Sequence, residues 1–108
     1  MSFEDIESLY RAIKGSRHTD LVDNMVLAAV RYARKRTDWF MASAEARQEM
    51  EDERTRAHNA FIDACNILSR NMAKSGEDIT WRRNLGDDRK HIGDIACQLH
   101  CLLGIMAR

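Results

Sequence analysis

The stretch Asp87-Asp88-Arg89-Lys90-His91-Ile92-Gly93-Asp94-Ile95-Ala96-Cys97-Gln98-Leu99-His100-Cys101-Leu102-Leu103-Gly104-Ile105-Met106-Ala107-Arg108 decides the fold. Its apolar residues, Ile92, Ile95, Ala96, Cys97, Leu99, Cys101, Leu102, Leu103, Ile105 and Met106, occupy nearly every side of the helix that their spacing predicts. A helix that is apolar most of the way round needs neighbours on several sides. It is therefore expected at the centre of a bundle or along the seam of an oligomer. Gly93, Cys97, Cys101 and Gly104 form a strip of small residues on it, which would let another helix approach closely.

The preceding chain supplies amphipathic helices to cover it. Ser2 is placed to cap a first helix, with Asp5 returning the bond, and Phe3, Ile6, Leu9, Tyr10 and Ile13 make its stripe before Gly15 and Ser16 end it. A second helix runs from about Asp20 to near Phe40, with Val22, Met25, Ala29, Tyr32 and Arg36 on one side and Val26, Val30 and Ala33 on the next. Ser43 caps a third and longest helix, Ala44 to Ser75, closed by Gly76 where a left-handed residue is wanted. Its first half is charged and solvated; in its second half Phe61, Ala64, Leu68 and Met72 carry the core stripe, widened by Ile62 and Cys65. Residues 77–86, with Ile79, Trp81 and Leu85, read as a connector with a short helical turn that Thr80 could cap, and Asp87 or Asp88 caps the last helix.

Composition agrees with a compact all-α bundle of about four helices in a single domain, residues 1–108. Proline is absent and glycines number five, while helix formers dominate. Seventeen basic residues balance seventeen acidic ones, so the molecule lacks the positive field of a nucleic-acid-binding domain, and no reading helix is recognisable. Three cysteines on apolar faces, an odd count, argue against a disulfide framework and for a reducing cytoplasm. Met1 to Ile6 contains no basic leader, and Asp94, Gln98 and His100 interrupt the last apolar helix before it could span a bilayer. A soluble cytoplasmic protein is expected.

No residue set commits the chain to a reaction. Cys97, His100 and Cys101 share a helical face and could contribute to a zinc site with Cys65 or His58, yet cysteine on an apolar helix is more often a small hydrophobe, so neither metal nor cofactor is expected. Di-iron bundles need paired Glu-x-x-His motifs, which are missing. The short acidic patterns of an all-α, metal-dependent nucleotide pyrophosphohydrolase are matched by Glu4 with Glu7 and by Glu49 with Asp52, on faces that read as solvated. Such an enzyme is the alternative to a binding protein, and a nucleic-acid-binding regulator using Arg31 to Arg36 is the second alternative.

Two places stand out as ligand-binding candidates. His58 and Asn59, with Asp63 and Asn66, concentrate polar groups where the third helix becomes buried, forming either an internal hydrogen-bond network or a small polar pocket. Trp81, Arg82, Arg83, Arg89 and Lys90 combine a stacking face, planar donors and a helix N-terminus, a set suited to an anion that carries a flat group. Asp87 and Asp88 compete for the same arginines, which would instead pin the connector through ion pairs. The cluster Arg31, Arg34, Lys35 and Arg36 ends a helix, where cations are welcome on dipole grounds alone.

Leu85-Gly86-Asp87-Asp88-Arg89-Lys90-His91-Ile92-Gly93-Asp94, followed by Ala96-Cys97-Gln98-Leu99-His100 and Leu103-Gly104-Ile105, together with His58-Asn59-Ala60-Phe61-Ile62-Asp63, resembles a family of small bacterial and phage-borne helical proteins of unknown function. The resemblance covers the C-terminal half best. It implies a short cytoplasmic accessory protein acting by binding a partner, and it brings no catalytic residues. The expected function is thus a non-enzymatic helical binding or regulatory module, a homo-oligomer that engages a protein or sequesters a small anionic, phosphate-containing ligand.

Overall fold

Ser43 sets the central feature of the molecule, an antiparallel helical hairpin. In a computed structural model of the chain, which describes residues 3–106 and the side chains of residues 6–102, the Ser43 side chain accepts a hydrogen bond from Ala46 N–H at 3.2 Å. The turn thereby separates α2 (Thr19–Met41) from α3 (Ala44–Lys74). Arg47 closes the other side of the same turn: its Nε donates to Trp39 O and its Nη2 to Phe40 O, both at 2.9 Å, which satisfies carbonyls at the end of α2. The guanidinium groups of Arg47 and Arg54 lie over the Trp39 ring, at 4.5 and 4.2 Å from its centroid. Lys35 meets Glu53 at 2.9 Å across the hairpin and marks its register.

At about 1.5 Å per residue, α3 is long enough to run the 47 Å length of the molecule. It ends in a Schellman motif: Gly76 adopts φ 77°, its N–H donates to Ala73 O, and Glu77 N–H donates to Met72 O. Beyond the turn lie α4 (Thr80–Leu85) and α5 (Arg89–Met106), and α1 (Phe3–Gly15) precedes the hairpin. All the described secondary structure is α-helical, in five helices rather than four, because the connector folds into a full short helix. Thr80 does not cap it as expected. Asp78 does so from two residues earlier, its Oδ1 accepting from Thr80 N–H at 2.9 Å and from the Thr80 hydroxyl at 2.6 Å.

The core places α2, not the last helix, at the centre. Met25, Ala29 and Tyr32 of α2 are buried with Phe61, Cys65 and Leu68 of α3 and with Ile92, Ile95, Ala96 and Leu99 of α5, and these two are the most extensive helix contacts of the fold. Ile6, Leu9 and Ile13 of α1 and Trp81 and Leu85 of α4 complete the core. Among the described side chains the final helix is buried on one side. Gln98 and Cys101 are exposed, and Cys97 and Leu102 are half-buried along an apolar groove of about 560 Å³ shared with Ile6 and Tyr10. The Ser2 cap lies outside the described residues, as do the side chains of Phe3, Asp5, Leu103, Ile105 and Met106. Among the described residues no helix is long and apolar enough to cross a membrane.

Small residues on α5 make room for Arg36. Its Nη2 donates to Asp94 Oδ1 at 2.8 Å and its Nη1 to Cys97 Sγ at 3.5 Å, and the side chain crosses Gly93, where a Cβ would stand 2.8 Å from Nε. The upper part of the small-residue strip therefore serves the approach of α2.

Candidate functional site

Because Arg36 turns inward, the basic cluster of α2 divides. Arg31, Arg34 and Lys35 lie on the opposite side, in a groove lined among the described residues by α2 and α3 alone, and Arg56 of α3 joins them across the seam. Helix periodicity separates the two sets: residue 36 follows the buried stripe of 25, 29 and 32, whereas 28, 31, 35 and 38 follow the open one. The four cations line a groove of about 520 Å³ floored by Ala28, Ala57 and Ala60.

Charge in this groove is unbalanced. Lys35 is held by Glu53, and that hydrogen bond and charge keep the Lys35 ammonium above its usual range and the Glu53 carboxyl below its own. Asp38 also lines the groove, so Lys35 has two carboxylates near it. Arg31, Arg34 and Arg56 make no ion pair among the described residues, and Arg56 reaches Glu53 only as a longer-range charge. Four cations thus face two carboxylates over a floor of methyl groups. The long arginine stems can converge on an anion, and each guanidinium offers bidentate donors.

The α4–α5 corner is differently used from its linear reading. Trp81 is 3% exposed and belongs to the core, so it presents no stacking face. In the one-and-a-half turns of α4, residues 81 and 85 share the inner side, Arg82 flanks it and Arg83 takes the outer one. Arg82 donates from Nε to Asn66 Oδ1 at 2.8 Å and from Nη1 to Gly86 O at 3.0 Å, with Asp87 at 3.6 Å. Arg89 reaches away to α3, donating to Thr55 Oγ1 at 3.1 Å beside Glu51 at 3.7 Å. Arg83 and Lys90 are exposed. Arg82 and Arg89 are therefore committed to separate internal partners, and the contacts favour the pinning role over a shared anion site.

The polar group on α3 is likewise dispersed. His58 Nδ1 lies 3.2 Å from Asn59 Oδ1, its ring meets Tyr32 edge-on at 5.3 Å, and its Nε2 is buried with no hydrogen-bond partner among the described residues. Asn59 and Asp63 are exposed, and Asn66 serves Arg82. These residues do not enclose a common pocket.

Other chemical groupings are similarly accounted for. Glu7 pairs with Arg11 at 2.6 Å, while Glu49 and Asp52 are exposed on α3, a helix against which α1 has no extensive packing. No group of three or more His, Cys, Asp or Glu side chains among the described residues could hold a metal. One constellation had no signal in the sequence: His18 Nε2 lies 2.8 Å from Ser75 Oγ and 3.2 Å from Glu77 Oε2. A Ser–His–acid relay requires the nucleophile and the acid on opposite ring nitrogens. Here one nitrogen meets both, so the cluster ties the α1–α2 loop to the α3–α4 loop. No family model, curated protein or solved structure matches the chain.

Proposed function

We propose that this protein is a non-enzymatic binding module whose ligand is a polyanion seated in the α2/α3 groove. The observation that carries this is the presence of Arg31, Arg34 and Arg56 around one open groove without ion-pair partners among the described residues. Exposed cations near one another repel, and an anion that bridges them relieves that repulsion while gaining charge-assisted hydrogen bonds. The α4–α5 corner is the lesser candidate, since its two best donors already have partners.

Isothermal titration with inorganic tripolyphosphate tests this function. Binding is expected to weaken as salt rises and to fall by more than about tenfold in an Arg31→Glu/Arg34→Glu variant, with helicity unchanged because both side chains are exposed. An Arg83→Glu/Lys90→Glu variant is expected to bind like the parent. Equal binding by the groove variant and the parent would exclude the groove.

A further inference from the structure

The open seam continues past the cations. Ala60, on the floor of the basic groove, also lines a second cavity of about 300 Å³ with Leu21, Asn24, Asp63, Ala64 and Ile67. The two cavities are consecutive sections of one trough, cationic toward the hairpin turn and apolar toward the start of α2. Ile67, a large apolar side chain that is 42% exposed, lines the apolar section, while Leu27, 50% exposed, lines neither cavity but stands one turn along α2 from both Asn24 and Arg31. A small phosphate compound would engage the cations and leave this apolar half wet.

From Arg56 to Ile67, α3 rises about 16 Å, the length of about three helical turns. We infer that the occupant is an amphipathic helix of a partner protein, an inference that presupposes the anionic-ligand function of the groove. Its apolar side chains, spaced i, i+3, i+4 and i+7, lie over Ala60, Ala64 and Leu21 and against Ile67. Its carboxylates meet Arg31, Arg34 and Arg56. Charge complementarity also sets its direction. The cations take the negative, C-terminal end of the helix, and Asp63, which lines the apolar section beyond the cations, lies on the side of the positive, N-terminal end. The alanine floor lets the backbone of the incoming helix come close, and the partner's side chains fill the space that the floor leaves.

Two synthetic helical peptides of identical composition test the inference, one with leucines in the i, i+3, i+4, i+7 pattern and glutamates toward its C-terminus, the other with the leucines scrambled. The patterned peptide is expected to bind at least about tenfold more tightly. Asn24→Trp, which fills the apolar section from an exposed position outside the basic groove, is expected to remove that preference while leaving inorganic tripolyphosphate binding unchanged, and Ile67→Gln to weaken the patterned peptide alone. Arg31→Glu/Arg34→Glu is expected to weaken both kinds of ligand. Equal binding of the two peptides, or indifference of the patterned one to Asn24→Trp, overturns the partner helix while the anion groove stands. Indifference of tripolyphosphate to the arginine reversals overturns both.

Discussion

Gly93 gives an interaction whose sign depends on one other residue. A glycine inside a helix costs about 0.8–1 kcal/mol relative to alanine, so Gly93→Ala alone would be expected to stabilise α5. The added methyl group, however, would lie 2.8 Å from Arg36 Nε and 3.0 Å from Cζ, inside van der Waals contact. Arg36 must swing away, giving up its bond to Asp94 and its contact with Cys97. The Arg36 and Asp94 side chains are 14% and 34% exposed, which makes their pair stronger than a fully solvated one, about 1–2 kcal/mol. Gly93→Ala in the parent is therefore expected to be neutral or to destabilise by up to about 1 kcal/mol, whereas in an Arg36→Ala background it stabilises by about 1 kcal/mol. Urea denaturation of the four proteins, followed by circular dichroism, measures the coupling, expected at about 1–2 kcal/mol. Additivity within about 0.3–0.5 kcal/mol would refute the placement of Arg36 across Gly93.

Other outcomes follow from the core and from the caps. Trp81→Ala is expected to cost about 3–5 kcal/mol and Trp81→Phe less than about 1.5 kcal/mol, with tripolyphosphate binding by Trp81→Phe unchanged; lost binding in the Phe variant would return the ligand to the α4–α5 corner. Burial pushes the Cys65 thiol up to about 12, so a disulfide reagent at mildly alkaline pH is expected to modify exposed Cys101 promptly and Cys65 only on unfolding, and prompt reaction of Cys65 would contradict its burial. The Thr80 hydroxyl and N–H hold the Asp78 carboxyl below its ordinary range. A depressed carboxylate contributes stability above its unfolded-state pKa and loses it as pH falls through the folded-state value. Asp78→Ala is therefore expected to destabilise the protein at neutral pH and to flatten the acid side of its melting-temperature profile, and an unchanged acid side would count against the cap.

Much of the architecture is legible in the chain because it rests on local chemistry. Ser43 as a cap, Gly76 as the left-handed residue after α3 and the apolar stripe of Phe61, Leu68 and Met72 each follow from a single position or period. The rank of the helices does not. The last helix is the most apolar, but centrality depends on having two flanks to pack, and α2 has them in its two adjacent stripes. Trp81 misleads because it stands among charged neighbours, while a short helix sorts 81 and 85 inward and 83 outward. The groove was partly within reach. A two-residue turn at Ala42 and Ser43 implies an antiparallel hairpin, and its register brings Arg56 opposite Arg31 to Lys35. What linear reading lacks is the destination of Arg36, which depends on a glycine fifty-odd residues away.

NMR titration of isotopically labelled protein with inorganic tripolyphosphate reads out, residue by residue, whether the α2/α3 groove is the working surface. The expected result is a set of shifts in the side-chain and backbone resonances of Arg31, Arg34, Lys35, Arg56 and their neighbours, absent in the Arg31→Glu/Arg34→Glu variant. Shifts concentrated on Arg83, Arg89 and Lys90 instead, or shifts at the groove that survive the charge reversal, would contradict it.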